Sequence, residues 1–68
     1  MELIRAMLEV YKRLLDIAPK ARNLDQEVFI HLERAAQELA SALTSMRIRG
    51  LLDPAQEELL DKLLRGEE

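Results

Sequence analysis

The 68-residue sequence has no cysteine and no tryptophan, and its glycines, prolines and aromatic residues number only two each. Without cysteine the chain has neither a disulfide nor a thiolate metal site. The two glycines, Gly50 and Gly66, are too few and too far apart for a glycine-rich phosphate-binding loop. No apolar run reaches the roughly 18 residues of a membrane span, and the N-terminus lacks a signal-peptide layout. We therefore expect a cytoplasmic protein without membrane contact.

Groups that could carry catalysis are also scarce. His31 is the only histidine, and the hydroxyl residues besides Tyr11 are Ser41, Thr44 and Ser45. Because catalysis by a nucleophile or a metal needs several converging groups, we expect no enzymatic activity, no cofactor and no metal site. We expect His31 to face solvent, with an interface or proton-linked role as the alternative. The acidic residues Glu57, Glu58 and Asp61 are interpreted as a solvated face, because one exposed helical turn does not converge six oxygen ligands on a cation.

What the sequence does contain is typical of helices. Leucine, alanine, glutamate, arginine and lysine supply 41 of the 68 residues. This share exceeds the roughly half at which composition indicates long helices or coiled coils. The 33 apolar residues also exclude intrinsic disorder. The composition predicts an all-α fold.

Apolar residues recur at spacings of three and four in three segments, which predicts helices over about 2–18, 24–49 and 54–65. Pro19 is expected to end the first helix at Ala18. Asn23 is expected to cap the second helix, with Gln26 at the capping-box position. Gly50 is expected to end that helix in a left-handed conformation.

The third helix has the clearest start. Asp53 is predicted as its N-cap, Pro54 as its first residue and Gln56 as the reciprocal capping residue. Gly66 is predicted to end it, and Glu67 with Glu68 to form a frayed terminus. Because short connections favour antiparallel neighbours, the three segments predict a three-helix antiparallel bundle with a long central helix.

The long second helix has more apolar surface than its shorter neighbours can cover. Four aliphatic residues, Ile30, Ile48, Leu51 and Leu52, lie off the main apolar stripe, and no fourth helix is predicted to cover them. We therefore expect a two-fold homodimer formed through the second helix, although no feature decides between a dimer and a tetramer. The predicted interface consists of Val28, Leu32, Ala35, Ala36, Leu39, Ala42, Leu43 and Met46. The alternative is a monomeric bundle in which Ile30 and Ile48 lie loosely along the flanks, since isolated exposed aliphatic residues are common.

Charge is distributed unevenly, with +2 on residues 1–22, −1 on residues 23–50 and −4 on residues 51–68. This balance argues against nucleic-acid binding, which usually depends on a clustered basic surface that neutralises phosphates. The segment from Met46 to Leu64 has the outline of a helix-turn-helix, but its second helix would bring carboxylates to a polyanion. If a dimer clustered its basic residues, nucleic acid could contact Lys12, Arg13, Lys20, Arg22, Arg47 and Arg49.

One stretch resembles a known family. The residues are Leu39 to Arg49 (LASALTSMRIR), then Leu51-Leu52-Asp53-Pro54 and a leucine-rich helix, with Leu24 to Phe29 upstream. This pattern is similar to the helical domain of GINS-type DNA-replication proteins. The resemblance implies a non-enzymatic scaffold that bridges a replicative helicase to other factors, with Arg47 and Arg49 in packing or ion-pairing roles. We therefore expect an oligomeric protein-interaction module, with a small dimeric DNA-associated regulator as the alternative.

Overall fold

The computed structural model describes residues 2–66, which form three α-helices and no strand. Helix α1 is Glu2–Ala21, α2 is Gln26–Ile48 and α3 is Pro54–Leu64. The predicted all-α bundle is confirmed, and α2 packs mainly against α1. The molecule measures 37 × 20 × 20 Å. The predicted frayed terminus, Glu67 and Glu68, lies outside the described residues.

The prediction that Pro19 ends the first helix is wrong, because α1 continues to Ala21. Proline removes one backbone donor and disfavours helix at the preceding residue, a cost that tertiary packing can outweigh. Here the packing is evident, since Ala18 and Ala21 on the continuing turn are both buried. The carbonyl of Ala21 then accepts hydrogen bonds from the amides of Leu24 and Asp25, at 3.0 and 2.9 Å. These bonds satisfy the end of the longer helix.

The second helix is capped by Asp25 and not, as predicted, by Asn23. One carboxylate oxygen of Asp25 accepts hydrogen bonds from the amides of Glu27 and Val28, at 2.8 and 3.2 Å. Asn23 instead lies in the turn that closes α1, where its amide donates to the carbonyl of Lys20 at 3.4 Å. Because α1 is longer than predicted, the connection and the cap both move toward the C-terminus.

The connection between α2 and α3 follows the sequence closely. Gly50 has a φ of +74°, which confirms the predicted left-handed helix end. The amide of Leu51 donates to the carbonyl of Met46 at 2.9 Å and that of Gly50 to Arg47 at 3.0 Å, the two bonds of a Schellman motif.

The predicted capping box of α3 is also confirmed. The amide of Gln56 donates to the Asp53 carboxylate at 2.7 Å, and the amide of Asp53 donates to the Gln56 side chain at 3.0 Å. Pro54 occupies the first turn of the helix, where its missing N–H costs nothing.

The core lies where the three helices meet. Leu43 of α2 and Leu60 of α3 are fully buried, and α1 contributes two further buried residues to the same cluster, Leu8 and Tyr11. Leu52, which precedes α3, is also buried there. Its apolar contacts anchor the connection between α2 and α3 to the core. Half-buried aliphatic residues of α1 and α2 surround this cluster and mark the border between the core and the exposed surface.

Candidate interaction surface

The eight residues predicted to form an oligomer interface do not share one environment. Ala36 and Leu43 are buried in the core of the single chain, with 7% and 0% of their surface exposed. They are therefore unavailable at the surface of the fold, because the first and third helices cover the line of α2 on which they lie. The other predicted residues remain wholly or partly exposed: Leu32, Leu39 and Met46 are half-buried, and Val28, Ala35 and Ala42 are exposed.

The exposed members form a straight row along α2, which we call the α2 outer row: Val28, Ala35 and Ala42. Residues seven apart on an α-helix lie on nearly the same line. The half-buried residues Leu32, Leu39 and Met46 also recur at intervals of seven and lie beside this row. Together the two lines make an apolar face that the chain covers only along one edge.

Helix α1 carries a matching row that was not predicted from the sequence. Leu3, Val10 and Ile17 are exposed by 58%, 50% and 44%, and we call them the α1 outer row. They too are seven residues apart, with Met7 and Leu14 half-buried beside them. The spacing of seven is visible in the sequence. The sequence does not show how wide a strip of α1 is buried, and that width decides whether this row is exposed. The exposure of this row depends on how far α2 and α3 reach around the helix.

Two aliphatic residues at the end of α2 are also open to solvent, as expected from their positions off the main stripe. Ile48 is 79% exposed and Leu51 is 51% exposed, while Ile30 near the other end of α2 is 40% exposed. Leu52 differs, because it is buried in the core although the sequence placed it among the uncovered residues. The connection turns at Gly50, and this turn directs Leu52 inward.

Four of the six basic residues predicted as nucleic-acid contacts have partners within the chain, each at a separate place. Lys20 pairs with Asp16 at 3.4 Å, and Arg47 pairs with Asp61 across α2 and α3. The remaining residues comprise Arg22, whose guanidinium lies 4.6 Å from the centre of the Phe29 ring; Arg49, whose Nε donates to the carbonyl of Ser45 at 3.5 Å; and Lys12 and Arg13, which line a groove between α1 and α3.

That groove has a volume of about 810 Å³. Its lining carries charges of both signs, because the acidic residues Glu9 and Asp16 line it together with Lys12 and Arg13. Tyr11 forms part of its floor, and burial raises the pKa of the Tyr11 phenol above its ordinary value of 10.0. A mixed, open lining of this kind offers a polyanion no concentrated positive potential. The groove therefore does not gather the basic residues into one phosphate-binding surface.

Several acidic residues form local pairs with a basic residue or with histidine. His31 lies 3.8 Å from the carboxylate of Glu27, one helical turn away, and both side chains are exposed. Lys62 lies 3.9 Å from Glu58, and Asp61 is held by Arg47. Across residues 2–66, no group of three or more histidine or acidic side chains is arranged to hold a metal ion.

Within the described residues, none of the helices has the length and apolarity that a membrane span requires. Comparison with protein-family models, with curated proteins and with solved structures found no match.

Proposed function

We propose that this protein is a non-enzymatic interaction module that assembles with copies of itself through the apolar face of α2. The observation that carries the proposal is the α2 outer row, Val28, Ala35 and Ala42, which remains exposed beside a half-buried line of larger residues. An apolar face of regular spacing that is covered along only one edge is typical of a helix that packs against a further helix.

The size of the chain supports the same proposal. A domain of about 70 residues rarely obtains more than about 3–5 kcal/mol from a single core, and a cysteine-free chain has no disulfide to add to it. Association is one of the usual remedies in so small a domain. Closing the α2 face against a second copy would extend the apolar core without lengthening the chain.

The length of the first connection supports an antiparallel arrangement of α1 and α2. Residues 22–25 separate the two helices, and four residues span at most about 14 Å when fully extended. The 20 residues of α1 extend for about 30 Å, so the chain could not return along α1 to begin a parallel helix. An antiparallel hairpin lets α2 pack along α1 over most of its length.

The GINS-type resemblance implies a narrower role, which we include in the proposal: a scaffold in DNA replication within the cytoplasm. It concerns a hetero-partner and does not affect self-association. The alternative of a DNA-associated regulator is weaker, because Lys20 and Arg47 are already paired with carboxylates. Salt-dependent binding of duplex DNA would favour the regulator.

Sedimentation of variants at two adjacent positions of α2 tests the proposed self-association directly. Ala42 belongs to the α2 outer row, whereas Ser41 is also exposed but lies about 100° away around the helix. We expect the parent chain and Ser41→Glu to exceed the monomer mass of 7.8 kDa as concentration rises. Ala42→Glu should stay at the monomer mass, because a charge inside a dry helix seam is unpaired. A parent chain that remains monomeric at high micromolar concentration would refute the proposal.

A further inference from the structure

We infer that the α1 outer row of one chain packs against the α2 outer row of a second copy, so that two helical hairpins close into a four-helix bundle. The inference rests on the proposed self-association and adds the surface that meets α2. The rows are Leu3, Val10 and Ile17 on α1, and Val28, Ala35 and Ala42 on α2.

Four of the six outer-row residues immediately precede a buried residue. On α1, Val10 precedes buried Tyr11 and Ile17 precedes buried Ala18. On α2, Ala35 precedes buried Ala36 and Ala42 precedes fully buried Leu43. One residue corresponds to a rotation of about 100° around a helix, so both rows lie the same rotation to the same side of their core-facing lines.

This shared offset places the two rows on one side of the hairpin. When two helices run in opposite directions, an equal rotation from their facing lines brings both rows to the same surface. In a parallel pair the rows would lie on opposite surfaces. The α1 and α2 outer rows, with half-buried Met7, Leu14, Leu32 and Leu39 between them, therefore form one continuous two-helix apolar face.

Side-chain size indicates that the α1 outer row of one copy packs against the α2 outer row of the other. The α1 outer row is bulky, with leucine, valine and isoleucine, whereas two of the three positions on the α2 outer row are alanine. Packing bulky against small residues fills the seam evenly, while α1 against α1 would crowd it and α2 against α2 would leave a gap. A two-fold axis parallel to the helices brings each α1 opposite the α2 of the other copy, in both seams at once.

The exposed area of the chain is sufficient for such an interface. The chain exposes 5040 Å², whereas about 4400 Å² is expected for a compact monomer of 7.8 kDa. The excess of about 640 Å² per chain, or about 1,300 Å² for two chains, falls within the range of specific protein interfaces. The chain therefore exposes more surface than a compact monomer of its mass, by about the area that a second copy would bury.

The absence of cysteine makes disulfide trapping a direct test. Val10→Cys and Ala35→Cys are prepared as separate chains, one of them extended by a tag so that each cross-linked product has its own mass. Single-cysteine chains can cross-link only between copies. After mild oxidation of the mixture, we expect the Val10–Ala35 product to form several-fold faster than either like-with-like product. The control mixture of Val10→Cys with Ser41→Cys should show no such preference.

The outcomes separate this inference from the proposed function. If Ala35→Cys cross-links to itself as fast as it does to Val10→Cys, the pairing is α2 with α2, and the inference fails while self-association stands. An associated parent chain without a preferred product among these variants would also overturn the inference. A parent chain that sediments as a monomer removes the proposed function as well. Circular dichroism of each variant confirms that the helices are intact before cross-linking.

Discussion

Two adjacent alanines on α2 show how differently the two faces of one helix are used. Ala36 is 7% exposed and belongs to the core, while Ala35 is exposed and belongs to the α2 outer row. The same residue type therefore serves the fold at one position and is available for association at the next. The core-facing line determines whether the chain folds, and we propose that the outer row determines whether it assembles.

Placing a charge on each alanine in turn should produce the largest contrast. Ala36→Glu would leave a carboxylate unpaired in the core, at a cost of several kcal/mol. A domain of 68 residues rarely obtains more than about 3–5 kcal/mol from its single core, so this variant should be largely unfolded. Ala35→Glu should remain folded in dilute solution, with a change within about 0.5 kcal/mol. Far-ultraviolet circular dichroism at low micromolar concentration measures both, and an unfolded Ala35→Glu would contradict the distinction.

Truncating large residues should give the next effect. Leu43 is fully buried, so Leu43→Ala should lower the free energy of unfolding by about 2–5 kcal/mol, through lost burial and the cavity left behind. Ile48 on the same helix is 79% exposed, so Ile48→Ala should change it by less than about 0.5 kcal/mol. Urea denaturation of the dilute chain compares them. Equal losses would mean that α2 has no distinct core-facing line.

Removing the cap of α2 should have a smaller effect. Asp25 accepts the amides of Glu27 and Val28, so Asp25→Ala should cost about 1 kcal/mol and loosen the first turn, which carries one end of the α2 outer row. Asn23→Ala is the matched control, because Asn23 does not cap the helix, and it should leave stability almost unchanged. Thermal unfolding measures both variants, and a larger loss for Asn23→Ala would return the cap to the position predicted from the sequence.

The smallest effect should appear at alkaline pH. Burial raises the pKa of Tyr11, a core residue of α1, above 10.0, so the fold favours the neutral phenol. Its contribution to stability is complete below the ordinary pKa and is lost as the pH rises through the raised value. Tyr11→Phe cannot ionise and should lose less stability over the same interval. Urea midpoints of the two chains at neutral and strongly alkaline pH give the difference, and parallel curves would show that the phenol is equally solvated in both states.

The accuracy of the sequence predictions follows the range of the interactions involved. The capping box of α3 was predicted correctly because Asp53 and Gln56 satisfy each other within a single turn. The end of α1 was predicted incorrectly because the penalty at Pro19 is local, whereas the burial of Ala18 and Ala21 that outweighs it comes from the rest of the fold. A single displaced helix end then displaced the next cap.

The candidate surface could be predicted only in part for the same reason. The spacing of Val28, Leu32, Ala35 and Leu39 identified an apolar face on α2, but spacing alone does not show which of its edges the neighbouring helices cover. That depends on how α1 and α3 pack. The row on α1 was missed because its residues lie beside an apolar stripe that is already wide enough to form a core. A valine such as Val10 is also compatible with either a buried or an exposed position, so its chemistry does not decide between them.

The turn at Gly50 has a consequence for handedness. Its φ of +74° disfavours ordinary residues, yet a Cβ built on this glycine would meet nothing within 4 Å. The obstacle to a side chain is thus the L configuration of ordinary amino acids and not a lack of space. A chain of 68 residues is within reach of chemical synthesis, and D-alanine at position 50 should fit the native backbone while restricting the unfolded one. The helix would then end at a residue that stabilises the fold through its chirality alone.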